Sequence, residues 1–363
     1  MKRRGMRRRL PGLVIGAVLL MGLGAVGYLL LVYPRRAPAG EGEHLVVTLP
    51  ERAGADEVAA LLQDAGVIDD PWLFAVYMRV RGVHRRLRSG DVLLSDRLPP
   101  HEVARRISRG HRGLPVRVTI PEGLNRFEIA ARLRDAGVCS NRAFRIATRR
   151  PIEGETEGTH EGYLFPDTYD FLQDSDAAEI ARRMVANYRR RTDPIYDAHR
   201  DALDQLRREL GFGRRDVLTL ASVVEEEAAA ASERATIAGV FLNRLRSDSF
   251  RPRHRLQADP TVSYGCLAVR GADAPPSCES FDGRITRAML QDPRNPYNTY
   301  RHGGLPPGPI TNPGLASIVA VLEAEQHEYF YFVARGGGRH QFSAELEAHN
   351  DAVDRFILRD APD

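Results

Sequence analysis

Sliding the chain against itself by 71 positions superimposes Val47-Thr48-Leu49-Pro50-Glu51 on Val118-Thr119-Ile120-Pro121-Glu122. The same shift lays Glu57-Val58-Ala59-Ala60-Leu61-Leu62-Gln63-Asp64-Ala65-Gly66-Val67 on Glu128-Ile129-Ala130-Ala131-Arg132-Leu133-Arg134-Asp135-Ala136-Gly137-Val138. A duplicated segment must fold twice into the same small unit. Each copy reads as a strand, a Pro-Glu turn and an amphipathic helix with apolar residues at i, i+3 and i+4, stopping at Gly66 or Gly137. Between the copies the pattern predicts a helix over Trp72–Val83, a strand over Gly90–Ser95 and a helix over His101–Arg109 ending at Gly110. Strand, two helices and strand is the order of a small sugar-binding module, but on pattern alone it reads first as a common way to bury a small core.

Upstream, Leu10 to Tyr33 runs 24 residues without a charge, enough as a helix to cross about 30 Å of hydrocarbon. A cleaved signal peptide has an apolar core of only about 7–15 residues, so the length favours a retained anchor, although Ala37-Pro38-Ala39 resembles a cleavage site. Lys2, Arg3, Arg4, Arg7, Arg8 and Arg9 precede the run and only Arg35 and Arg36 follow it closely. That asymmetry predicts a cytoplasmic basic tail (1–9), a transmembrane helix (10–33), a Pro/Ala/Gly-rich linker (34–44) and everything later outside the plasma (inner) membrane, periplasmic or extracellular.

Eight of the 52 basic residues and none of the 48 acidic ones lie in residues 1–40, leaving 44 against 48 for the rest. Such a balance provides no global field for nucleic acid, which is not expected as a partner. Of the cysteines, Cys139, Cys266 and Cys278, the last two lie twelve apart in a Gly/Pro-rich stretch; they are either bridged or, with Cys139, free thiols. No Cys/His spacing suits a structural zinc.

From Gly162 the character changes to Tyr163-Leu164-Phe165-Pro166-Asp167-Thr168-Tyr169. Periodicity then predicts helices over Ala177–Arg191, roughly Arg214–Ala231 and Glu233–Arg246, an irregular binding surface over 250–314, a strand over Tyr329–Ala334 and a closing helix over Ala344–Leu358.

Glu225-Glu226-Glu227 resembles a solvated run of acids, but a helix separates them. At about 100° per residue, Leu220, Val223, Val224, Ala230 and Ala231 fall within about 60° of Glu227, while Glu226 sits on the flank and Glu225 on the opposite side. A carboxyl group on an apolar face has its ionised form disfavoured, which suits a general acid near neutral pH. A buried ion pair with Arg234 or Arg244 satisfies the same pattern.

The irregular stretch supplies Gln257, Asp259, Tyr264, Asn298 and Tyr300, whose amides, carboxylate and rings suit sugar hydroxyls, N-acetyl groups and sugar faces. His302, His340 and His349 lack the spacing of a metal site, and there is no nucleophile elbow, P-loop or dinucleotide fingerprint, so neither metal nor cofactor is expected.

Leu220-Ala221-Ser222-Val223-Val224-Glu225-Glu226-Glu227-Ala228, with Ala231-Ser232-Glu233-Arg234 and Val240-Phe241-Leu242-Asn243-Arg244-Leu245, resembles the core motif of the endolytic murein transglycosylase, or YceG-like, family. Leu256-Gln257-Ala258-Asp259-Pro260-Thr261-Val262-Ser263-Tyr264-Gly265, Pro296-Tyr297-Asn298-Thr299-Tyr300, Gly304-Leu305-Pro306-Pro307-Gly308-Pro309-Ile310, Asn312-Pro313-Gly314, Tyr331-Phe332-Val333-Ala334, His340-Gln341-Phe342 and His349-Asn350 continue it in order. The departures are an insertion around Ser247–His254 and a longer Cys266–Cys278 loop, both at the rim of the expected groove.

The resemblance implies an α+β protein with a single N-terminal transmembrane helix, a small LysM-like subdomain (45–113) and a larger mixed α+β catalytic domain (114–360). It implies a lytic transglycosylase that cuts the MurNAc-GlcNAc bond of nascent peptidoglycan strands, leaving 1,6-anhydro-MurNAc ends and terminating glycan elongation, beside peptidoglycan synthases as partners. Glu227 takes the catalytic place, and Glu233, Arg234, Asn243, Arg244, Gln257, Asp259, Tyr264, Asn298 and Tyr300 are the expected substrate-binding residues. The rival readings are a hydrolytic muramidase, with Asp259 or Glu233 as second carboxylate, and a non-catalytic peptidoglycan-binding scaffold.

Overall fold

The computed structural model describes residues 21–36, 44–109, 115–173 and 175–358. Two compact units emerge: one reaching to Val116 and including Phe171–Ser175, the other comprising Arg117–Asp170 and Asp176 onward.

In the first unit, β1 (His44–Leu49) pairs antiparallel with β2 (Gly90–Ser95), with Val47 opposite Val92 and Leu45 opposite Leu94. Between them stand α1 (Ala55–Asp64) and α2 (Pro71–Val80), and α3 (Pro100–Arg109) follows. The α2 helix starts where Asp70 accepts from the Leu73 N–H at 2.9 Å and Pro71 fills the first position, where its missing N–H is not needed. Val58, Leu62, Phe74, Met78, Leu94, Val103 and Ile107 close the core.

The apolar N-terminal run ends differently from the expectation. Residues 21–27 are helical, Tyr28–Val32 form a wider turn and Tyr33–Arg35 a tighter one. Leu29 and Tyr33 are buried in the core of the first unit. Among the described residues no helix is long and apolar enough to cross a membrane. The expected tail 1–9, the expected span up to residue 20 and linker residues 37–43 lie outside the described residues.

The second unit opens with the second copy of the repeat. β3 (Pro115–Ile120), α4 (Arg126–Asp135), α5 (Asn141–Ala147) and β4 (Asp167–Leu172) follow in the order of the first copy, and β3 pairs with β4. Thr119 meets Thr168 at 2.9 Å and Arg117 meets Asp170. Gly66 and Gly137, matched in the repeat, both end their helix in the left-handed region, at φ 71° and 69°, where a Cβ would be strained. The repeat is thus a whole strand-helix-helix-strand unit in each copy, and sequence similarity marked only its first half.

Beyond β4 come α6 (Ala177–Ala198), α7 (Arg200–Leu210), α8 (Arg214–Glu227), α9 (Arg234–Arg246), α10 (Asp259–Ala268), α11 (Arg287–Gln291) and α12 (Leu315–Leu322). The antiparallel hairpin β5 (Tyr331–Gly336) and β6 (Arg339–Ser343) precedes α13 (Leu346–Val353). The α8 helix is the centre, packed on α9, α10 and α12, and its residues Val217 to Val224 are all buried. Two expectations are corrected here. The 250–314 stretch contains α10, and the helix predicted to reach Ala231 stops at Glu227, followed by a short turn at Ala231–Glu233.

Candidate active site

A single helix end presents the three glutamates to three environments. Glu225 is not solvated: its carboxylate accepts from Ser317 Oγ at 2.6 Å and the Gly314 N–H at 3.1 Å, at the start of α12, and meets Arg234 at 3.5 Å. A carboxylate there is favoured by the unpaired N–H groups of that helix. Arg234, one of the two expected partners of Glu227, is therefore engaged elsewhere.

Glu227, the last residue of α8, opens into a cleft of about 460 Å³. Arg244 from α9, Gln257 and Asp259 around the start of α10, and Tyr300 form part of its lining. Tyr331 and Phe332 from β5, with Leu346, His349 and Asn350 from α13, complete it. Burial pushes the Glu227 carboxyl up to about 7; the Asp259 and Glu226 carboxylates add to the rise and Arg244 opposes it. The exposed carbonyls of the last turn of α8 also disfavour a negative charge at this position. Glu226, the most exposed of the three, is also pushed to about 7, by reduced solvent around its carboxyl and by Glu128 and Glu225. Acidity alone does not single out Glu227; its place in the cleft does.

Arg244 is held rigidly. Its Nε donates to the Phe330 carbonyl at 2.7 Å and its Nη1 to the Leu256 carbonyl, while Phe250, Phe241, Phe332 and Tyr331 surround the guanidinium. Burial pulls it down to about 10, and Glu227 opposes that shift. Among the described residues no ion pair joins Arg244 to a carboxylate.

On the facing wall the Tyr300 hydroxyl donates to Asp259 Oδ1 at 2.6 Å, and burial together with this bond raises the phenol. Gln257 sits in the left-handed region at φ 54°, a conformation uncommon for a side chain of its size. The turn is pinned by Gln257 N–H to the Thr299 carbonyl at 3.2 Å and Ala258 N–H to Thr299 Oγ1 at 3.0 Å.

Of the expected substrate-binding residues, the cleft gathers Arg244, Gln257, Asp259 and Tyr300 with Glu227. It does not gather the other five, whose polar groups are taken by the chain itself. Glu233 accepts from the His340 N–H at 3.0 Å and meets His340 Nδ1 at 2.9 Å; Asn243 donates to the carbonyls of His327 at 2.8 Å and Tyr329 at 3.1 Å. Asn298, fully buried, donates to the carbonyls of Met289, Leu290 and Asp292. Tyr264 donates to Glu161 at 2.9 Å, and Arg234 serves Glu225.

Glu161 escaped sequence reading. Buried at 2% exposure, it accepts from the Arg126 N–H, Tyr264 Oη and Asn312 Nδ2, with burial pushing it up to about 8 against those donors. It ties α4 of the repeat unit to α10 and to the segment before α12. Tyr331, Phe332 and Leu346 were also unassigned; the Tyr331-Phe332 and His349-Asn350 pairs inside the family motif were the available signal. Cys266 and Cys278 form a disulfide beside the small core of Val262 and Met289, and Cys139 is free and buried. Among the described residues no cluster of three His, Cys, Asp or Glu side chains is arranged to hold a metal ion.

The YceG-like family model matches residues 47–355. The endolytic murein transglycosylase of Bacillus subtilis (strain 168) is 26% identical over 332 residues, covering 86% of this chain and 84% of that protein. The endolytic murein transglycosylase of Streptococcus pneumoniae serotype 2 is 24% identical over 325 residues, 82% of this chain but 55% of that longer protein. The crystal structure of a yceG-like protein from Listeria monocytogenes shares 28% identity at a TM-score of 0.52, covering 86% of this chain and 99% of the other. With the family model running through both units and across Glu227, the chain belongs to the YceG-like family.

Proposed function

We propose that this protein is a lytic transglycosylase of peptidoglycan, with Glu227 as its acid and then its base. One observation carries the reading: a carboxyl group raised to about 7 stands in a cleft whose other walls offer aromatic faces, amides and a buried guanidinium. The names of the relatives support the same chemistry.

Protonated Glu227 gives its proton to the oxygen linking MurNAc C1 to GlcNAc. The C1–O bond breaks with its electron pair going to that oxygen, leaving oxocarbenium-like character at C1. The MurNAc C6 hydroxyl adds to C1 and the Glu227 carboxylate takes its proton, closing the 1,6-anhydro ring and restoring the acid. The nucleophile is intramolecular, so no second carboxylate is required to activate water. Arg244 stabilises the carboxylate present between the two transfers, and Tyr300, Tyr331 and Phe332 provide surfaces for sugar rings.

The finer reading is an enzyme anchored in the plasma (inner) membrane by the apolar run. Its active site cuts nascent strands beside the synthases, and the strand-helix-helix-strand unit of residues 45–113 serves as a LysM-like glycan contact. The 24-residue uncharged run and the basic residues before it support the anchor.

Wild type and Glu227→Gln are compared on uncrosslinked glycan with product masses read out. Anhydro ends from wild type and none from the variant are expected. Reducing ends instead would establish a hydrolase, for which Asp259 in the same cleft is the available second carboxylate. Undiminished cutting by Glu227→Gln would remove Glu227 from the chemistry, and glycan binding without cutting by wild type would indicate a scaffold.

A further inference from the structure

Trp72 is the one tryptophan of the chain and is 70% exposed, although α2, which it begins, buries Phe74, Ala75, Tyr77 and Met78 in the core of the first unit. An exposed indole at the start of an otherwise well-buried helix has no packing role within the unit. The α2 helix lies against the end of the N-terminal apolar run: the Tyr77 and Tyr33 rings meet edge to face at 5.9 Å. Asp69 and Asp70, just before α2, are within electrostatic reach of Tyr33, and Arg81, just after it, stands beside the Tyr77 hydroxyl. The start of α2 and its Tyr77 therefore border the point where the run leaves off. Leu31 and Val32 are 63% and 55% exposed there.

Charge adds a second observation. Residues 71–88 carry Arg79, Arg81, Arg85, Arg86 and Arg88 and no acid. Arg79 pairs with Asp56, whereas Arg81, Arg85, Arg86 and Arg88 are exposed. Asp69 and Asp70 offset part of this charge and leave the segment net positive. Tryptophan prefers the boundary between water and hydrocarbon, and exposed arginines prefer an anionic surface beside it.

We propose that the first unit lies on a lipid surface, with Trp72 seated at the interface and the arginines following α2 over anionic headgroups. This rests on the membrane-anchor reading. Leu29 and Tyr33 are built into the core, so the end of the apolar run and the unit form one body, which fixes the face turned to the bilayer.

The full chain, reconstituted into liposomes of phosphatidylethanolamine and phosphatidylglycerol, carries its own probe in Trp72. Blue-shifted emission is expected, with quenching at least twofold stronger by lipids brominated near the headgroup than by lipids brominated near the chain end. Replacing Arg81, Arg85, Arg86 and Arg88 by Glu is expected to weaken that quenching. Carbonate-resistant chains whose Trp72 emits as in water and is unquenched would overturn the proposal and leave the anchor standing. Chains washed off by carbonate would overturn both. Quenching or a spectral shift produced only by added soluble glycan would assign Trp72 to sugar and likewise overturn it.

Discussion

Arg244 and Glu227 line the same cleft, each moving the other's proton affinity, while both bonded nitrogens of the guanidinium are held by the backbone carbonyls of Phe330 and Leu256. The arrangement keeps a fixed positive charge near the acid without tying the acid down. In Arg244→Gln the charge that lowers Glu227 is gone, so its carboxyl stays protonated to higher pH. The alkaline limb of the kcat/KM profile moves up by about one pH unit, and kcat falls because the carboxylate form is less well stabilised. Arg244→Lys keeps the charge and shifts the limb less. A profile unmoved in Arg244→Gln would exclude the coupling.

The raised acidity constant of Glu227 has a stability signature of definite sign. A carboxyl group whose folded pKa is about 7 contributes most below its unfolded value and loses that contribution as pH rises through 7. Glu227→Gln, neutral at every pH, therefore matches wild type near pH 4 and is more stable at pH 8, by on the order of 2–3 kcal/mol. Thermal denaturation at the two pH values reads this, and it shows as a higher Tm for the inactive variant under alkaline conditions only.

Glu161→Ala leaves the Arg126 N–H, Tyr264 hydroxyl and Asn312 amide facing a void. Removing one member of such a buried polar set costs about 3–5 kcal/mol. Glu161→Gln, which keeps the acceptor oxygen, costs less. Urea denaturation is expected to show both changes, and at low temperature the folded fraction of Glu161→Gln retains the kcat of wild type, since Glu161 does not line the cleft.

The Cys266–Cys278 bridge closes a short ring, twelve residues apart, on the helix that begins at Asp259. Removing it, by reductant or by Cys266→Ser with Cys278→Ser, lowers stability by roughly 3 kcal/mol from the added freedom of the unfolded loop. Tyr300 packs against the same small core that the bridge braces. Loss of the bridge is therefore expected to raise KM more than it changes kcat, measured as initial rates on soluble glycan with and without reductant.

Periodicity reported what a single element knows about itself. The Gly90–Ser95 strand and the helices about α2 and α3 were visible because an apolar face alternates with a polar one and Pro opens each helix, and α8 and α9 because they are long runs of good helix formers, α8 beginning after Gly213. The α10 helix was not visible: Thr261, Val262, Tyr264, Gly265 and Cys266 are buried on several sides, and the segment has weak helix formers and no polar face. Glu227 was found because its own helix sets its phase. The partners of Glu225 were not legible because its donors, Gly314 and Ser317, come from a segment about ninety residues later, which no wheel drawn on α8 contains. Asn298 was read as a sugar ligand, and Asn243 followed from the resemblance, while an amide serves a sugar and a backbone carbonyl equally well. Only the fold decides between them.

The α8 helix is buried from Val217 to Val224 and ends at Glu227, so its residue count acts as a ruler for the acid. One alanine inserted between Val224 and Glu225 would turn the carboxyl about 100° around the axis and carry it about 1.5 Å further on. It would bring the preceding glutamate to the old position in the chain, but on an altered last turn. The loops around the cleft can therefore change in length without moving the acid, while α8 admits neither gain nor loss of a residue.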